Sequence, residues 1–497
     1  MMESMPLDPR TPVIVGVAQV TDRINDPTTA RTALELMVDA CRSASLDAGR
    51  GAAAACVDMV AVVGGLWSHP DPGRRVADIL GAKDATTLLT GLSGTSPQRL
   101  LDHLAGRISN GHVDSALMVG GEVFRSRRRA RRLGVEVRQD RVVDMAPAIR
   151  YEGDLEMATP HEEKRGLVEP GIFYSIVETA IRHDHGETVE AHRIRIGRLW
   201  ESFNAVAVTN PHAAKRIPMD SEAITVPSAN NRMVAAPYTK AMMANNNVDQ
   251  ASAILLTSVA QAEALGIHRD GWIFPLASTR ADDPSSPSVR FYLHRSPAIR
   301  TAGNQALDLV GLDIDDIDHL DLYACFPSSV QVCASELGLD PATETRPLTA
   351  NGGLTFAGAP HSNSVGQSLA ALVNRLRSTP GIGLLYANGG YLGKHAFGIY
   401  SNTPPSNRYQ SFNCAPAVAN QTIRTPNPDY AGQAIVDGYT VRHDRDGLPV
   451  DALVAALTDT GARVWGKTAK HGTLQRLLAY DIVGSICELD KRGIVTL

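Results

Sequence analysis

The sequence has little excess charge of either sign. It contains 497 residues and has a formal net charge of -5. A chain with this balance creates no field that would gather nucleic acid or an anionic membrane, so neither is expected as a partner. It also lacks an apolar run long enough to span a bilayer, and its first residues, MMESMPLDPRTP, lack the basic start and apolar core of a secretory signal. We therefore expect a cytoplasmic protein.

Paired cysteines are missing as well. The six cysteines are scattered along the chain with no CxxC pair, which argues against a disulfide framework and against a structural zinc site. We expect them to be reduced and mainly buried, and we expect no bound metal. No GxGxxG fingerprint or P-loop follows a predicted strand, so the sequence gives no support for a dinucleotide or ATP as a cofactor.

Alternating strand and helix patterns are what the sequence does contain. Val13 to Ala18 is an apolar, β-branched run, and helical spacing follows over Thr28 to Asp47. A second series of the same kind begins near residue 246. Each series has an apolar strand that ends in paired glycines, Gly120-Gly121 and Gly389-Gly390. These patterns predict parallel sheets covered by helices, in an α/β fold made of two duplicated β/α halves.

Three further segments depart from this alternation. Phe124 to Asn245 is richer in charge, has helical spacing and shows little strand character, which indicates an inserted domain. Asn402 to Asn427 is rich in Pro, Asn and Ser, as linkers are. From Gly432 onward, short alternating runs are separated by turns such as DRDG and DKRG, which predicts a small all-β, OB-like barrel or curled sheet. The predicted units are residues 1–123, 124–245, 246–402, 403–429 and 430–497.

Four local strings carry a resemblance to a known family. Ala105 to Glu122 reads AGRISNGHVDSALMVGGE, and Asn246 to Ser258 reads NNVDQASAILLTS, with Gln250 where a glycine is usual. His319 to Val330 reads HLDLYACFPSSV, and Asn351 to Pro360 reads NGGLTFAGAP. In this order the strings resemble thiolases, above all the sterol-carrier-type thiolases, over about residues 10 to 400. The resemblance implies a layered αβαβα thiolase fold whose inserted domain receives coenzyme A.

The residues on which thiolase chemistry depends are absent from these strings. Thiolases use a cysteine nucleophile at a helix start, a second cysteine as acid/base, and histidine and asparagine around an oxyanion site. The matching helix start, Gly91 to Leu100, has no cysteine, and Ala387-Asn388-Gly389 matches the family's Cys-x-Gly turn without a thiol. Ala359 replaces the histidine of the glycine loop, and Tyr323 replaces the asparagine or histidine. Thiolase activity is therefore not expected.

Four residues at or near these positions are candidates for other chemistry. Ser93 lies nearest the nucleophile position, but no nearby residue supplies a base, and the alternative is a capping hydroxyl. Tyr323 points at the old oxyanion site if the strand register holds, and its phenol can donate a hydrogen bond or act as an acid. The alternative is a buried tyrosine bonded to a carbonyl. His361, two residues beyond the lost histidine, and His395, after the paired glycines, are either shifted catalytic groups or structural side chains.

An arginine run opens the insertion. FRSRRRARR, Phe124 to Arg132, contains six arginines in nine residues. Guanidinium groups suit the phosphates of coenzyme A, which the resemblance places in this domain. The other interpretation is a solvated helix face balanced by Glu136 and Asp140. The residues predicted to bind coenzyme A or an acyl-CoA are Arg125, Arg127, Arg128, Arg129 and Gly358.

Three functions are open at this point. The first is an acyl-CoA-binding protein that resembles an acetyl-CoA acetyltransferase of lipid metabolism without its reacting groups, and that uses no cofactor. The second is a retro-aldol lyase of hydroxyacyl-CoA esters with Tyr323 as acid/base, because some relatives pair a thiolase-like subunit with an OB-type partner and use tyrosines for the cysteines. The third is a non-catalytic scaffold whose tail binds a partner. A homodimer is expected from the family, but the extra domain and the short strand Thr86 to Thr90 leave a monomer open.

Overall fold

The computed structural model describes residues 7–140, 145–152 and 157–497. Residues 1–6 of the first predicted unit, and 141–144 and 153–156 of the predicted insertion, lie outside the described residues. The first half alternates strand and helix as its sequence pattern predicts. Its elements are β1 (Pro12–Thr21), α1 (Ala33–Asp47), β2 (Met59–Val62), α2 (Pro72–Leu80), β3 (Thr86–Thr90), α3 (Ser96–Ser109) and β4 (Ser115–Val123).

The insertion is mainly helical. Its two long helices carry buried aromatic residues that include Phe173, Trp200 and Phe203, and these lie in a hydrophobic core that the insertion shares with the second half of the chain. The elements are α4 (Phe124–Leu133), β5 (Ile149–Tyr151), α5 (Pro160–Arg165), α6 (Pro170–Asp184), α7 (Val189–Thr209), α8 (Ser221–Thr225), β6 (Met233–Ala235) and β7 (Tyr238–Thr239).

The second half also alternates strand and helix. Its second helix begins at Pro297, directly after Ser296, whose Oγ accepts a hydrogen bond from Ile299 N at 3.0 Å and caps the helix. The elements are β8 (Asp249–Ser258), α9 (Val259–Ala264), β9 (Phe274–Asp282), α10 (Pro297–Val310), β10 (His319–Leu322), α11 (Pro327–Glu336), α12 (Gly353–Phe356), α13 (Ser364–Ser378), β11 (Ile382–Gly389), β12 (Lys394–Ser401), β13 (Gln410–Asn413) and α14 (Ala415–Val418).

The two halves repeat one strand order. The first sheet runs β1-β8-β4-β2-β3-β5 and the second runs β10-β11-β12-β9-β13. In the first sheet, β2 is parallel to β4, which is antiparallel to β8, and β8 is antiparallel to β1. In the second sheet, β10 is parallel to β11, which is antiparallel to β12, and β12 is antiparallel to β9. The sheets are therefore mixed, and the prediction of parallel sheets was wrong. One reason is that only residues 390–393 join β11 to β12, and so short a connection can join only antiparallel neighbours.

The helices and sheets stack in five layers. Leu100 and Leu104 of α3 and Leu369 and Val373 of α13 are fully buried between the two sheets. Helices α1 and α2 cover the outer face of the first sheet. Helices α10 and α11 cover the outer face of the second sheet. This arrangement is the layered αβαβα thiolase fold, and that prediction is confirmed.

Strand β3 does not form an open edge of the first sheet. The insertion contributes β5, which pairs parallel with β3 in the register Leu88 with Ile149 and Thr90 with Tyr151. A sheet edge whose backbone groups are already paired offers no ladder to a second copy of the chain.

The C-terminal domain is an antiparallel sheet with one helix. The prediction of a small β domain is confirmed, although it did not foresee α15. The strand order is β16-β15-β14-β17-β18, and β14 also pairs with β6 of the insertion. The segment 403–429, predicted to be a linker, contributes β13, which pairs parallel with β9. The elements are β14 (Gly432–His443), β15 (Pro449–Leu457), β16 (Arg463–Thr468), α15 (His471–Ala479), β17 (Ile486–Leu489) and β18 (Val495–Thr496).

Buried polar contacts join the C-terminal domain to the rest of the chain. The Arg463 guanidinium is 1% exposed, pairs with Asp437 at 2.8 Å, and donates to Pro287 O at 2.8 Å and Phe291 O at 3.1 Å. Trp465 Nε1 donates to Ser288 Oγ at 2.9 Å. Because buried polar groups lose stability when their partners leave, these contacts make the domain an integral part of the molecule.

The cysteines form no disulfide: all six are free, five are buried and Cys56 is exposed. Among the helices that the structure describes, none combines the length and apolar character that a membrane crossing requires.

Candidate functional site

Two of the four catalytic candidates meet where α3 begins. A Cβ placed on Gly94 would lie 2.9 Å from the Tyr323 hydroxyl and would collide with Asn388 O. A Cβ placed on Gly389 would lie 2.5 Å from Ser93 Oγ. Three segments therefore converge on one point: the strand that ends at Gly389, the turn after β10 and the turn before α3. Glycines allow this close approach because they have no side chain.

Ser93 has no activating group at this point. Its Oγ lies 2.8 Å from Thr95 Oγ1 and accepts a hydrogen bond from Thr95 N at 3.3 Å. No imidazole or carboxylate of the described residues hydrogen-bonds to Ser93. A serine without an adjacent base remains a weak nucleophile, so these contacts fit a turn-stabilising hydroxyl.

Tyr323 has an unused hydroxyl. Within the described part of the chain, no group hydrogen-bonds to it, although Tyr323 O accepts from Ser329 Oγ at 2.9 Å. Burial raises the pKa of the Tyr323 phenol well above its usual value. The hydroxyl therefore keeps its proton at neutral pH, and it can donate a hydrogen bond but cannot act as a base.

Aromatic side chains pack next to the site where Ser93, Tyr323 and Asn388 meet. Tyr174 donates to Gly390 O at 3.0 Å and accepts from Asn388 Nδ2 at 2.7 Å. Phe326 stacks on Tyr174 with ring centroids 4.7 Å apart. Burial raises the pKa of the adjacent Cys325 to about 12, so its thiol stays protonated. Ala387, in place of the thiolase cysteine, is fully buried in the apolar layer between the sheets.

His395 belongs to a different, closed network. It is fully buried, with Nε2 3.2 Å from Asp283 Oδ2 and Nδ1 2.9 Å from the Tyr386 hydroxyl. Burial favours the neutral form of Asp283, but the hydrogen bond and charge of His395 outweigh it and lower the pKa of Asp283. Both ring nitrogens are thus used inside the protein, as in a structural histidine.

His361 and Gly358 lie together in the glycine loop. The His361 ring packs edge-on against Phe124, with centroids 6.3 Å apart, and its Nδ1 lies 3.1 Å from Ser362 Oγ. Gly358 has φ +113°, a conformation that favours glycine, and any Cβ there would strike Gln250 Oε1. Gln250 Nε2 donates to Ala357 O at 2.9 Å. The side chain that replaces a family glycine therefore fills the space beside this loop.

A separate basic cleft lies between the insertion and the first half. Its volume is about 870 Å³, and its lining includes none of Ser93, Tyr323, His361 and His395. Two of its three carboxylates have partners, Asp22 on Arg31 at 3.0 Å and Asp249 on Ser126 Oγ at 2.6 Å. The cationic side chains that line it are Arg23, Arg125, Arg128, Lys215, Arg232 and Lys240.

Only two of the four arginines that were predicted to bind coenzyme A line the cleft. Arg125 and Arg128 line it. Arg127 instead donates to Leu66 O at 2.5 Å and lies 3.9 Å from Glu122, and Arg129 is not among the lining residues. Helical geometry accounts for the separation of Arg127 from the other two, since neighbours in sequence point to different sides of a helix.

Three of the six cations have no partner. In the described part of the chain, Arg128, Lys215 and Lys240 make no side-chain hydrogen bond or ion pair, whereas Arg125 donates to Ile24 O and Asn25 Oδ1. Burial, and then the charge of Lys240, lower the pKa of Lys215. The lysines come from distant parts of the insertion, and no sequence pattern marked them.

Comparison with known proteins reveals the family. Residues 414–493 match the family described as the thiolase-like protein type 1 additional C-terminal domain. A monomeric SCP2-thiolase like protein type 1 from Mycobacterium smegmatis is 28% identical, with a TM-score of 0.83 over 99% of this chain and 100% of its own. The chain is therefore similar to a thiolase-like protein over nearly its whole length. It carries the additional C-terminal domain, as its short strands predicted.

Two further known proteins match a smaller share of this chain. The 3-ketoacyl-CoA thiolase of Aliivibrio salmonicida (strain LFI1238) is 31% identical over 131 residues, which are 26% of this chain and 31% of the relative. The match thus spans less than a third of that thiolase. The Ltp2-ChsH2(DUF35) aldolase has a TM-score of 0.60 at 17% identity, over 79% of this chain and 98% of its own. At that identity the likeness is one of fold.

Proposed function

We propose that this thiolase-like protein binds a coenzyme A thioester in the basic cleft and does not cleave it by thiolysis. The observation that carries the proposal is the set of three cations without partners, Arg128, Lys215 and Lys240, in a cleft of about 870 Å³. Cations without an internal partner gain most from a phosphate, because no internal ion pair must first be broken.

The absence of thiolysis follows from the residues around Ser93. Thiolysis passes through an acyl-enzyme, and a low-pKa thiolate normally forms it. At the positions matched to the two thiolase cysteines the chain has Ser93 and Ala387. The nearby thiol of Cys325 is held protonated by burial. The ligand is therefore held without being acylated onto the protein.

Calorimetric titration with coenzyme A tests the proposal. Each exposed charge-assisted contact contributes about 1 kcal/mol, so Arg128→Ala, Lys215→Ala and Lys240→Ala together should weaken binding roughly a hundredfold. The matched control is Arg127→Ala with Arg129→Ala, which removes charge from the same helix outside the cleft lining. We expect that control to change affinity less than about twofold. Equal losses in both variants, or no binding by the wild type, would contradict the proposal; the latter result would favour a scaffold without a ligand.

A second candidate reaction is retro-aldol cleavage of a hydroxyacyl-CoA. The observation that favours it is the unpartnered Tyr323 hydroxyl beside Gly94, because a protonated phenol can hydrogen-bond a thioester carbonyl. Turnover of a β-hydroxyacyl-CoA panel, abolished by Tyr323→Phe, would support this reaction. Product formation that is unchanged in Tyr323→Phe would assign the activity elsewhere.

We also propose that the protein is a monomer. Strand β5 occupies the outer side of β3, and the Mycobacterium smegmatis relative is described as monomeric. Light scattering should give the mass of one chain, 53.1 kDa. A mass of twice that value would contradict the proposal and show that the protein is a dimer, as expected from the family.

A further inference from the structure

Met243 lies where the basic cleft meets the protein interior. Its side chain lines the cleft and packs on Gly171, where an added Cβ would collide with Met243 Cε and lie 3.6 Å from Phe326 Cε1. Behind it, Phe326 is stacked between Tyr174 at 4.7 Å and Tyr238 at 5.8 Å between ring centroids. The direct route from the cleft toward Ser93 and Tyr323 is therefore filled by side chains.

A second route leads sideways from Met243. A lobe of about 330 Å³ shares Glu169, Arg232, Val234 and Met243 with the cleft. Its remaining walls come from Gly171 and Ile172 of α6, from Ala235 of β6 and from the C-terminal domain. The C-terminal domain contributes Arg442, His443 and Val450 to the lobe.

The C-terminal domain also holds the insertion segment that forms the shared wall. Ala236 N donates to Val441 O at 2.9 Å, and Thr440 Oγ1 donates to Ala236 O at 2.9 Å. Arg232 Nη1 donates to Asp444 O at 3.0 Å. Strand β6, which precedes these contacts, pairs with β14 in the register Ala235 with Arg442. The wall between the cleft and the lobe is therefore formed by the insertion and held in place by the C-terminal domain.

We propose that the additional C-terminal domain builds an acyl subsite, in which the lobe receives the acyl chain of a thioester held in the cleft. This inference rests on the proposed coenzyme A binding. At Met243, side chains block the way from the cleft to Ser93 and Tyr323, whereas the lobe is open. The acyl end of a ligand in the cleft therefore extends into the lobe, toward the C-terminal domain. The domain thereby acts as a specificity element for the ligand.

The lining indicates a short acyl chain with a polar group. Ile172, Val234 and Val450 supply apolar surface. Arg442 pairs with Asp451 at 2.6 Å and is thus not a free cation. The His443 Nδ1 lies 3.1 Å from Val441 O, which leaves Nε2 for a carbonyl or hydroxyl of the ligand. A small volume whose walls combine apolar side chains, charged side chains and one imidazole suits a short-chain or hydroxylated acyl group better than a long fatty chain.

The test compares coenzyme A with butanoyl-CoA on two tryptophan variants. Val450→Trp fills the lobe at a side chain that is 51% exposed, so the fold should tolerate it. Leu448→Trp adds the same bulk at a 62% exposed position on the neighbouring turn, outside the lobe lining. Val450→Asp places a charge in the lobe and provides a second variant. Thermal unfolding checks that each variant folds.

The expected result is selective. Burying a short acyl chain should make butanoyl-CoA bind the wild type about tenfold more tightly than coenzyme A. Val450→Trp and Val450→Asp should abolish that difference and leave coenzyme A affinity within about twofold, while Leu448→Trp should preserve it. If coenzyme A binds but Val450→Trp changes both ligands equally or neither, the acyl subsite is wrong while the proposed function stands. If the folded wild type binds neither ligand, both are wrong.

Discussion

The surroundings of Ser93 and the basic cleft differ in how their polar groups are satisfied. Around Ser93, most hydroxyl, amide and backbone groups of the described residues are bonded to one another, with the Tyr323 hydroxyl and Asn388 Oδ1 as exceptions, and aromatic rings pack beside them. In the cleft, Arg128, Lys215 and Lys240 have no partner among the described residues, and they line an opening of about 870 Å³. Groups satisfied within the fold stabilise it, whereas groups left unsatisfied at a surface are free for a ligand. The comparison supports the proposal that this scaffold binds its ligand in the cleft although it lacks the thiolase cysteines.

The largest expected effect is the absence of thiolysis. Acetoacetyl-CoA and coenzyme A should give a rate at or near background, because loss of a nucleophile typically costs on the order of 10⁴ to 10⁶ in rate. The measurement is thiolysis followed spectroscopically, with an active thiolase as the positive control. Robust turnover, or an acyl adduct on any cysteine in a mass spectrum, would break the comparison by showing that the interior still reacts.

The next largest effect concerns the junction between the C-terminal domain and the second half of the chain. Arg463→Ala leaves Asp437 and three backbone carbonyls without their buried partner. The free energy of unfolding should fall by about 3–5 kcal/mol, as for other buried ion pairs that lose one member. Urea unfolding measures it, and Arg492→Ala, at a side chain that is 84% exposed, is the control with a change below about 0.5 kcal/mol. Equal stability of the two variants would mean that the C-terminal domain is held elsewhere.

A smaller effect distinguishes two tyrosines of the interior. Tyr174→Phe removes bonds to Gly390 O and from Asn388 Nδ2 and Leu392 N, and should cost about 1–3 kcal/mol of unfolding free energy. Tyr323→Phe removes a hydroxyl that has no partner in the described part of the chain and should change stability by less than about 0.5 kcal/mol. Thermal and urea unfolding of both variants test this. A Tyr323→Phe loss as large as that of Tyr174→Phe would show that its hydroxyl is structural, which would remove the support for the aldol reaction.

The smallest effect is a pH dependence of binding. Burial and the charge of Lys240 lower the pKa of Lys215, so this side chain loses its charge at a lower pH than an exposed lysine does. Affinity for coenzyme A should therefore weaken as pH rises from 7 toward about 9.5, by roughly threefold more than in Lys215→Arg, whose guanidinium stays charged. Parallel pH slopes for the two proteins would remove Lys215 from the binding surface.

The strand and helix pattern was predictable because it depends on local periodicity. The runs at Val13 to Ala18 and Thr28 to Asp47 correspond to β1 and α1 within a few residues. The short strand β5 and helix α15 were missed, because β5 is defined by its pairing with β3 and α15 by packing on the C-terminal sheet. The absence of the thiolase cysteines could be predicted from short sequence motifs. The positions of Lys215, Lys240 and Arg232 in the cleft could not, because these residues belong to no motif.

By itself, the sequence determined the superfamily, the two alternating halves, the additional β domain and the absence of a thiol at the thiolase positions. Each of these is local, because it depends on residue identity and on periods of two or 3.6 residues. Only the tertiary structure decided that Arg128 faces a cleft while Arg127 does not, that β13 joins the second sheet, and that Val450 borders the same space as Met243. These facts depend on distant segments packing against one another, and the energy of that packing is not contained in any single segment.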